Sequence, residues 1–156
     1  MRVSDLMSES SILLHANVPD AADALGILVE LQEAAGIITN GTAYYKAVCE
    51  RETAGGTTAI GEGIALPHAC NAGVAMPGVA VLTLNHGIDW GAYDHRPVDL
   101  LFMIAVPPKA QSERLQILAR LVNLLSEHGL VDALRAAKDP MEFLQLFSQE
   151  ESDRFA

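Results

Sequence analysis

The sequence predicts an α/β fold: a layered sandwich in which a small mixed β-sheet is flanked by α-helices. Three observations lead there. Residues Leu100-Leu101-Phe102-Met103-Ile104-Ala105-Val106 are apolar at every position, the pattern of a central strand covered on both faces. Segments 21–35 and 112–127 repeat apolar residues at helical spacing, and Asp139-Pro140-Met141-Glu142 is a strong helix-start signal. Half of the chain is apolar but only 5% is aromatic, so the layers must close over Leu, Ile, Val and Ala.

The elements follow in order. Residues 1–19 lead in, with a short strand at Ile12-Leu13-Leu14. Pro19-Asp20 marks a helix start, and Ala24, Leu25, Leu28, Leu31 and Ala35 form its buried stripe before Gly36 ends it. Asn40 is suited to cap a second helix, Thr42 to Arg51. Ile64 to Leu66 reads as a short strand, with Ala69 to Pro77 as a loop of small residues able to meet a partner. Gly78 to Leu84 is a β-type run, Gly87 to Arg96 is turn-rich, and Pro97 to Val106 is the central strand. Ser112 is read as the cap of a helix to about Glu127, with Leu115, Leu118, Val122 and Leu125 buried and Gly129 closing it. A short helix spans about 130–137, the last helix ends near Phe147, and 149–156 should fray.

The length, 156 residues, suits one domain over 1–156 with its core at about 3–148. A formal charge of −10 argues against nucleic acid and anionic membrane surfaces as partners. Cys49 and Cys70 make no disulfide framework, the N-terminus has no apolar signal core, and no run approaches membrane-spanning length. A reducing cytoplasm is the expected location.

Thr57-Thr58-Ala59-Ile60-Gly61-Glu62-Gly63-Ile64-Ala65-Leu66-Pro67-His68 is the stretch with chemistry in it. Gly61 and Gly63 can take positive φ and let an anion approach the backbone. Pro67 fixes its own φ and extends Leu66, so His68 should be held at a defined place. Such a histidine, still within a docking protein's reach, is a candidate for covalent phosphate chemistry. His15, His86, His95 and His128 lack this setting.

The stretch resembles the phosphorylation-site segment of the fructose/mannitol-type enzyme IIA components of the phosphoenolpyruvate-dependent sugar phosphotransferase system. The family pattern is an Arg-Glu pair, a Thr, then Ile-Gly-x-Gly-Ile-Ala-Ile/Leu-Pro-His. Here it reads Arg51-Glu52, Thr58, and Ile60 through His68. The likeness continues through Pro77-Gly78, Ile88-Asp89-Trp90 and Pro97-Val98-Asp99-Leu100-Leu101-Phe102. It implies the same layered α/β fold and a phosphoryl carrier. His68 would be the tele-phosphohistidine acceptor, supported by Thr58, Arg51, Gly61, Gly63 and Arg114. Phosphate would arrive from the phosphocarrier protein HPr and leave for a cysteine of a IIB component. Neither IIB nor the membrane component IIC has a counterpart in this chain, and Cys70 is read as an incidental small residue.

Neutral imidazole, with an ordinary pKa near ~6.5, is a nucleophile at neutral pH, and phosphoryl transfer to it needs positioning and charge neutralisation. No cofactor and no metal are expected. One departure from the family stands out. Relatives often carry a second histidine as His-Leu-x-x-Leu, where this chain has Arg114-Leu115-Gln116-Ile117-Leu118. Arg114 can bind phosphate, and its charge would depress a neighbouring imidazole's pKa. Two rival readings remain: a regulatory protein whose phosphorylated state controls binding to other proteins, and a metal-dependent hydrolase using His68, Cys70 and His86 or His95.

Overall fold

The computed structural model describes residues 1–155. Six strands, β1 (Ile12–Ala16), β2 (Ala59–Gly61), β3 (Ile64–Ala65), β4 (His68–Cys70), β5 (Gly78–Ile88) and β6 (Val98–Val106), form one mixed sheet. Five helices cover it: α1 (Ala21–Ala34), α2 (Gly41–Ala54), α3 (Gln111–Leu125), α4 (His128–Ala136) and α5 (Pro140–Arg154). The order is β1-β5-β6-β3-β2, with β4 also on β6. β5 and β6 are antiparallel, β1 runs parallel to β5, and β3 and β4 both run parallel to β6.

β6 is the expected central strand. Because side chains alternate, Leu100, Phe102, Ile104 and Val106 pack towards α3, α4 and α5, while Leu101, Met103 and Ala105 pack towards α1 and α2. Phe102 lies 6.0 Å from both Phe143 and Phe147, ring centre to ring centre. Asp20, Asn40 and Asp139 cap α1, α2 and α5, each accepting a backbone N–H of the first turn.

The structure corrects several boundaries. β3 is shorter than the 64–66 strand expected, and residues 68–70 form β4 rather than the start of a loop. The chain jogs at Leu66-Pro67 and rejoins β6 when Ile104 N–H donates to the Pro67 carbonyl at 2.9 Å. Ser112 is not a cap: it lies inside α3, whose cap position is two residues earlier, at Ala110, whose side chain caps nothing. The buried stripe of α3 is Ile117, Leu121, Leu124 and Leu125, while Leu115 and Val122 are 61% and 47% exposed. Gly129 does not end a helix but sits in the first turn of α4, where the Glu127 carboxylate accepts its N–H. Residues 149–154 are not frayed but helical, because Glu151 is buried and tied to the N-terminal segment.

Candidate functional site

His68 opens β4 opposite Ile104. Beneath it, the buried Tyr44 hydroxyl donates to the Ile104 carbonyl at 2.9 Å, pinning α2 to this part of the sheet. Ala69 packs towards α1 and α2, and Cys70 against the opposite cluster, so alternation places His68 on the side of α3. Its Nδ1 lies 2.8 Å from the Leu66 carbonyl oxygen. A carbonyl only accepts, so Nδ1 carries the proton and the neutral ring keeps its lone pair on Nε2. The residue is 8% exposed. It is buried rather than displayed, and the half-buried Arg51, Glu52 and Arg114 lie close enough for their charges to act on it.

That setting lowers the imidazole pKa. Desolvation is the main cause; the Leu66 bond works against it, the charges of Arg51 and Arg114 add to it, and Glu52 opposes them. The ring therefore stays neutral to a lower pH than a free histidine.

The supporting residues are placed differently from the expectation. Arg51, in the last turn of α2, donates its Nη1 to the Gly56 carbonyl at 2.9 Å, folding over its own helix end. Arg114 leans its Nη2 on Gln111 at 3.4 Å, and its buried Nε has no hydrogen-bond partner among the described residues. Thr58 is buried and does not offer its hydroxyl to an incoming group. The hydroxyl donates to a Glu52 carboxylate oxygen and accepts the Trp90 indole N–H at 3.3 Å. The other Glu52 oxygen accepts the Thr58 N–H at 3.2 Å. Thr58 reaches His68 indirectly: its carbonyl accepts the Leu66 N–H at 3.0 Å, and Leu66 holds Nδ1.

Gly61 and Gly63 are not gathered around His68. Both have positive φ, 92° and 77°, and they flank Glu62 in the turn between β2 and β3. Ile64 pairs with Leu100 and His68 with Ile104, so the turn lies upstream along β6 by at least ~13 Å. Its central amide is committed elsewhere: the Glu62 N–H donates to Asp94 at 2.9 Å. A Cβ on Gly63 would stand 2.7 Å from the Arg135 guanidinium, which pairs with Asp99. These glycines build a turn.

Two residues of this site had no role in the sequence reading. Glu52 and Trp90 were only parts of a motif there. A carboxylate beside a helix-terminal arginine, and a lone tryptophan in a polar turn segment, were the signals available. Among the described residues, no three His, Cys, Asp or Glu side chains are grouped as a metal site requires.

The model of the phosphoenolpyruvate-dependent sugar phosphotransferase system EIIA 2 family matches residues 5–150. The chain belongs to that family. This EIIA chain is 30% identical over 149 residues to the fructose-specific EIIABC component of Bacillus subtilis, covering 96% of itself but only 23% of that relative's length. It is 33% identical over 141 residues to the nitrogen regulatory protein of Bradyrhizobium diazoefficiens, covering 89% of itself and 90% of that protein. Its fold matches the crystal structure of the nitrogen regulatory protein IIA-Ntr from Neisseria meningitidis with a TM-score of 0.84, at 24% identity over 93% of this chain and 98% of that one. The expected α/β layered fold stands. No helix among the described residues is long and apolar enough to cross a membrane.

Proposed function

We propose that this EIIA chain is a phosphoryl carrier whose acceptor atom is Nε2 of His68. The observation that carries the reading is the 2.8 Å contact between His68 Nδ1 and the Leu66 carbonyl. It fixes the tautomer and leaves the nucleophilic pair on the outer nitrogen. The donor is the phosphohistidine of HPr. The Nε2 pair attacks phosphorus, a new P–N bond forms, and the donor's P–N bond breaks with its electron pair returning to the donor ring. The proton on Nδ1 stays in place. The phosphoryl group then leaves for a cysteine thiolate of a IIB component, exchanging the P–N bond for a P–S bond. Arg51 and Arg114 supply positive charge beside the group while it is held. Burial of the ring limits water and so slows hydrolysis of the phosphoramidate.

A second reading is favoured by one observation: one of the relatives matched over nine-tenths of its own length is a nitrogen regulatory protein. In that case His68 is phosphorylated in the same way, and the phosphorylated chain controls a partner instead of feeding a transporter. The test of the site is labelling from phospho-HPr: wild-type protein takes up phosphate and His68→Gln takes up none. Label retained in His68→Gln removes the assignment. Transfer onward to a IIB cysteine supports sugar uptake, and label that stays on His68 in the presence of IIB supports regulation.

A further inference from the structure

Three side chains, none of them hydrogen-bonded to the acceptor ring, form a chain of hydrogen bonds that reaches it through the backbone. Trp90, in the segment after β5, is 7% exposed and donates its indole N–H to Thr58 Oγ1 at 3.3 Å. With that oxygen's accepting side occupied, the Thr58 hydroxyl proton is directed onto Glu52. Glu52 thus holds Thr58 at two points, the hydroxyl and the backbone N–H. The Thr57 hydroxyl closes the arrangement by donating to the Trp90 carbonyl at 2.9 Å and accepting the Ala59 N–H at 3.1 Å. From Thr58 the chain passes through the backbone: Thr58 carbonyl to Leu66 N–H at 3.0 Å, then Leu66 carbonyl to His68 Nδ1 at 2.8 Å.

We infer that Trp90, Thr58 and Glu52 act together as a clamp that aims the Leu66 carbonyl at His68 Nδ1 and so presents Nε2 to the incoming phosphoryl group. The inference rests on His68 being the acceptor. Two physical points support it. A single carbonyl contact fixes the tautomer only if the peptide that carries it cannot rotate, and the Leu66-Pro67 jog leaves Leu66 off the regular ladder, with Thr58 as its anchor. A charged acceptor makes the anchor strong, because hydrogen bonds to a carboxylate are about twice as strong as neutral ones. The clamp also explains why the threonine hydroxyl is not free for an incoming group: it is engaged by Glu52 and Trp90. All three are positioning residues, since none touches Nε2.

The test uses the full chain. Imidazole nitrogen NMR reads the tautomer of His68, and uptake from phospho-HPr reads the rate per folded molecule. Thr58→Val removes the hydroxyl at nearly constant volume, and Trp90→Phe removes the indole N–H but keeps a ring. Both variants are expected to show mixed tautomers at His68 and a roughly tenfold or greater loss of uptake rate, the scale on which slight misplacement of a reacting group is felt. Thr58→Ser, which keeps the hydroxyl, should restore the single Nδ1–H tautomer and most of the rate. A melting temperature that drops in Thr58→Val and Trp90→Phe while tautomer and per-molecule rate stay as in the wild type would overturn the clamp, leaving these residues as packing only. His68→Gln is the control: label on that variant defeats the acceptor assignment itself, whereas no label there with a wild-type rate in Trp90→Phe defeats the clamp alone.

Discussion

Nδ1 of His68 lies 2.8 Å from the carbonyl oxygen of Leu66, two residues back along the chain. A bond this local ties the direction of the ring to the shape of the Leu66-Pro67 turn. Proline has no N–H to offer a ladder, so the strand breaks there and restarts at His68. The nitrogen left for chemistry is thereby decided by backbone geometry.

The pH dependence of uptake should follow. Burial and the two nearby guanidinium groups lower the His68 pKa below the ordinary value of ~6.5. The acid limb of the single-turnover rate is therefore expected to have its midpoint below that value, with full rate above it. The stability sign is opposite to that of a histidine gaining a partner. The unfolded chain binds this proton first, so acidification through the window below ~6.5 favours unfolding. His68→Gln removes this contribution and flattens the stability curve there. An acid limb centred above the ordinary histidine value would contradict the placement of the ring.

Removing one of the two positive charges should move the ring in a defined direction. Arg51 and Arg114 each lower the His68 pKa, Arg51 the more strongly. Arg51→Gln and Arg114→Gln are both expected to raise it, the first by more, as read by proton-detected titration. Uptake should fall in both, because each arginine also supplies charge to the phosphoryl group. Arg114→Gln should leave stability within about 0.5 kcal/mol, since its guanidinium makes only a long 3.4 Å contact with Gln111. An unchanged pKa in either variant would mean that the guanidinium is too far from the ring to act on it.

Much of this was legible in the sequence, for reasons that differ by residue. β6 showed itself because a strand buried on both faces needs seven consecutive apolar residues, Leu100 to Val106, and little else does. The caps Asp20, Asn40 and Asp139 were legible because capping is a local hydrogen bond. The buried face of α3 was not. That helix carries two apolar stripes, Leu115-Leu118-Val122 and Ile117-Leu121-Leu124, and periodicity alone does not choose between them. Packing under β6 chose the second and left Leu115 and Val122 exposed. The site divides the same way. His68 is marked by its neighbours in sequence, whereas the partners of Thr58 come from α2 and from the segment after β5, which only the folded chain brings together.

The glycine turn yields a test of what those glycines do. Gly63 has φ of 77°, and an added Cβ would meet Arg135 at 2.7 Å and the Pro97 carbonyl at 3.2 Å. Gly63→Ala combines a left-handed backbone with a clash and should cost about 1–3 kcal/mol. The turn stands apart from His68, so uptake per folded molecule is expected to match the wild type. Selective loss of uptake at unchanged stability would return the glycines to the phosphate site.

Glu151 offers the clearest stability prediction. It is fully buried, and its carboxylate accepts the Val3 N–H at 2.7 Å, the Ser4 N–H at 3.0 Å and the Ser4 hydroxyl at 2.9 Å. Arg120 approaches at 3.4 Å while stacking over Phe155 at 4.3 Å. Burial alone would raise the carboxyl pKa, but the bonds from Ser4 and Val3, with the charge of Arg2, outweigh it and hold the pKa below the usual range. A depressed folded pKa means stability that is present above the unfolded value of ~4.3 and lost as pH falls through the folded one. Glu151→Gln turns an amide NH2 towards backbone donors and should cost about 3 kcal/mol at neutral pH. Denaturant titrations at neutral and acid pH check both parts: the gap between wild type and variant is expected to close as the wild-type carboxylate is protonated. A gap of constant size across that range would show that the shape of the side chain, and not its charge, fastens the N-terminal segment to α5.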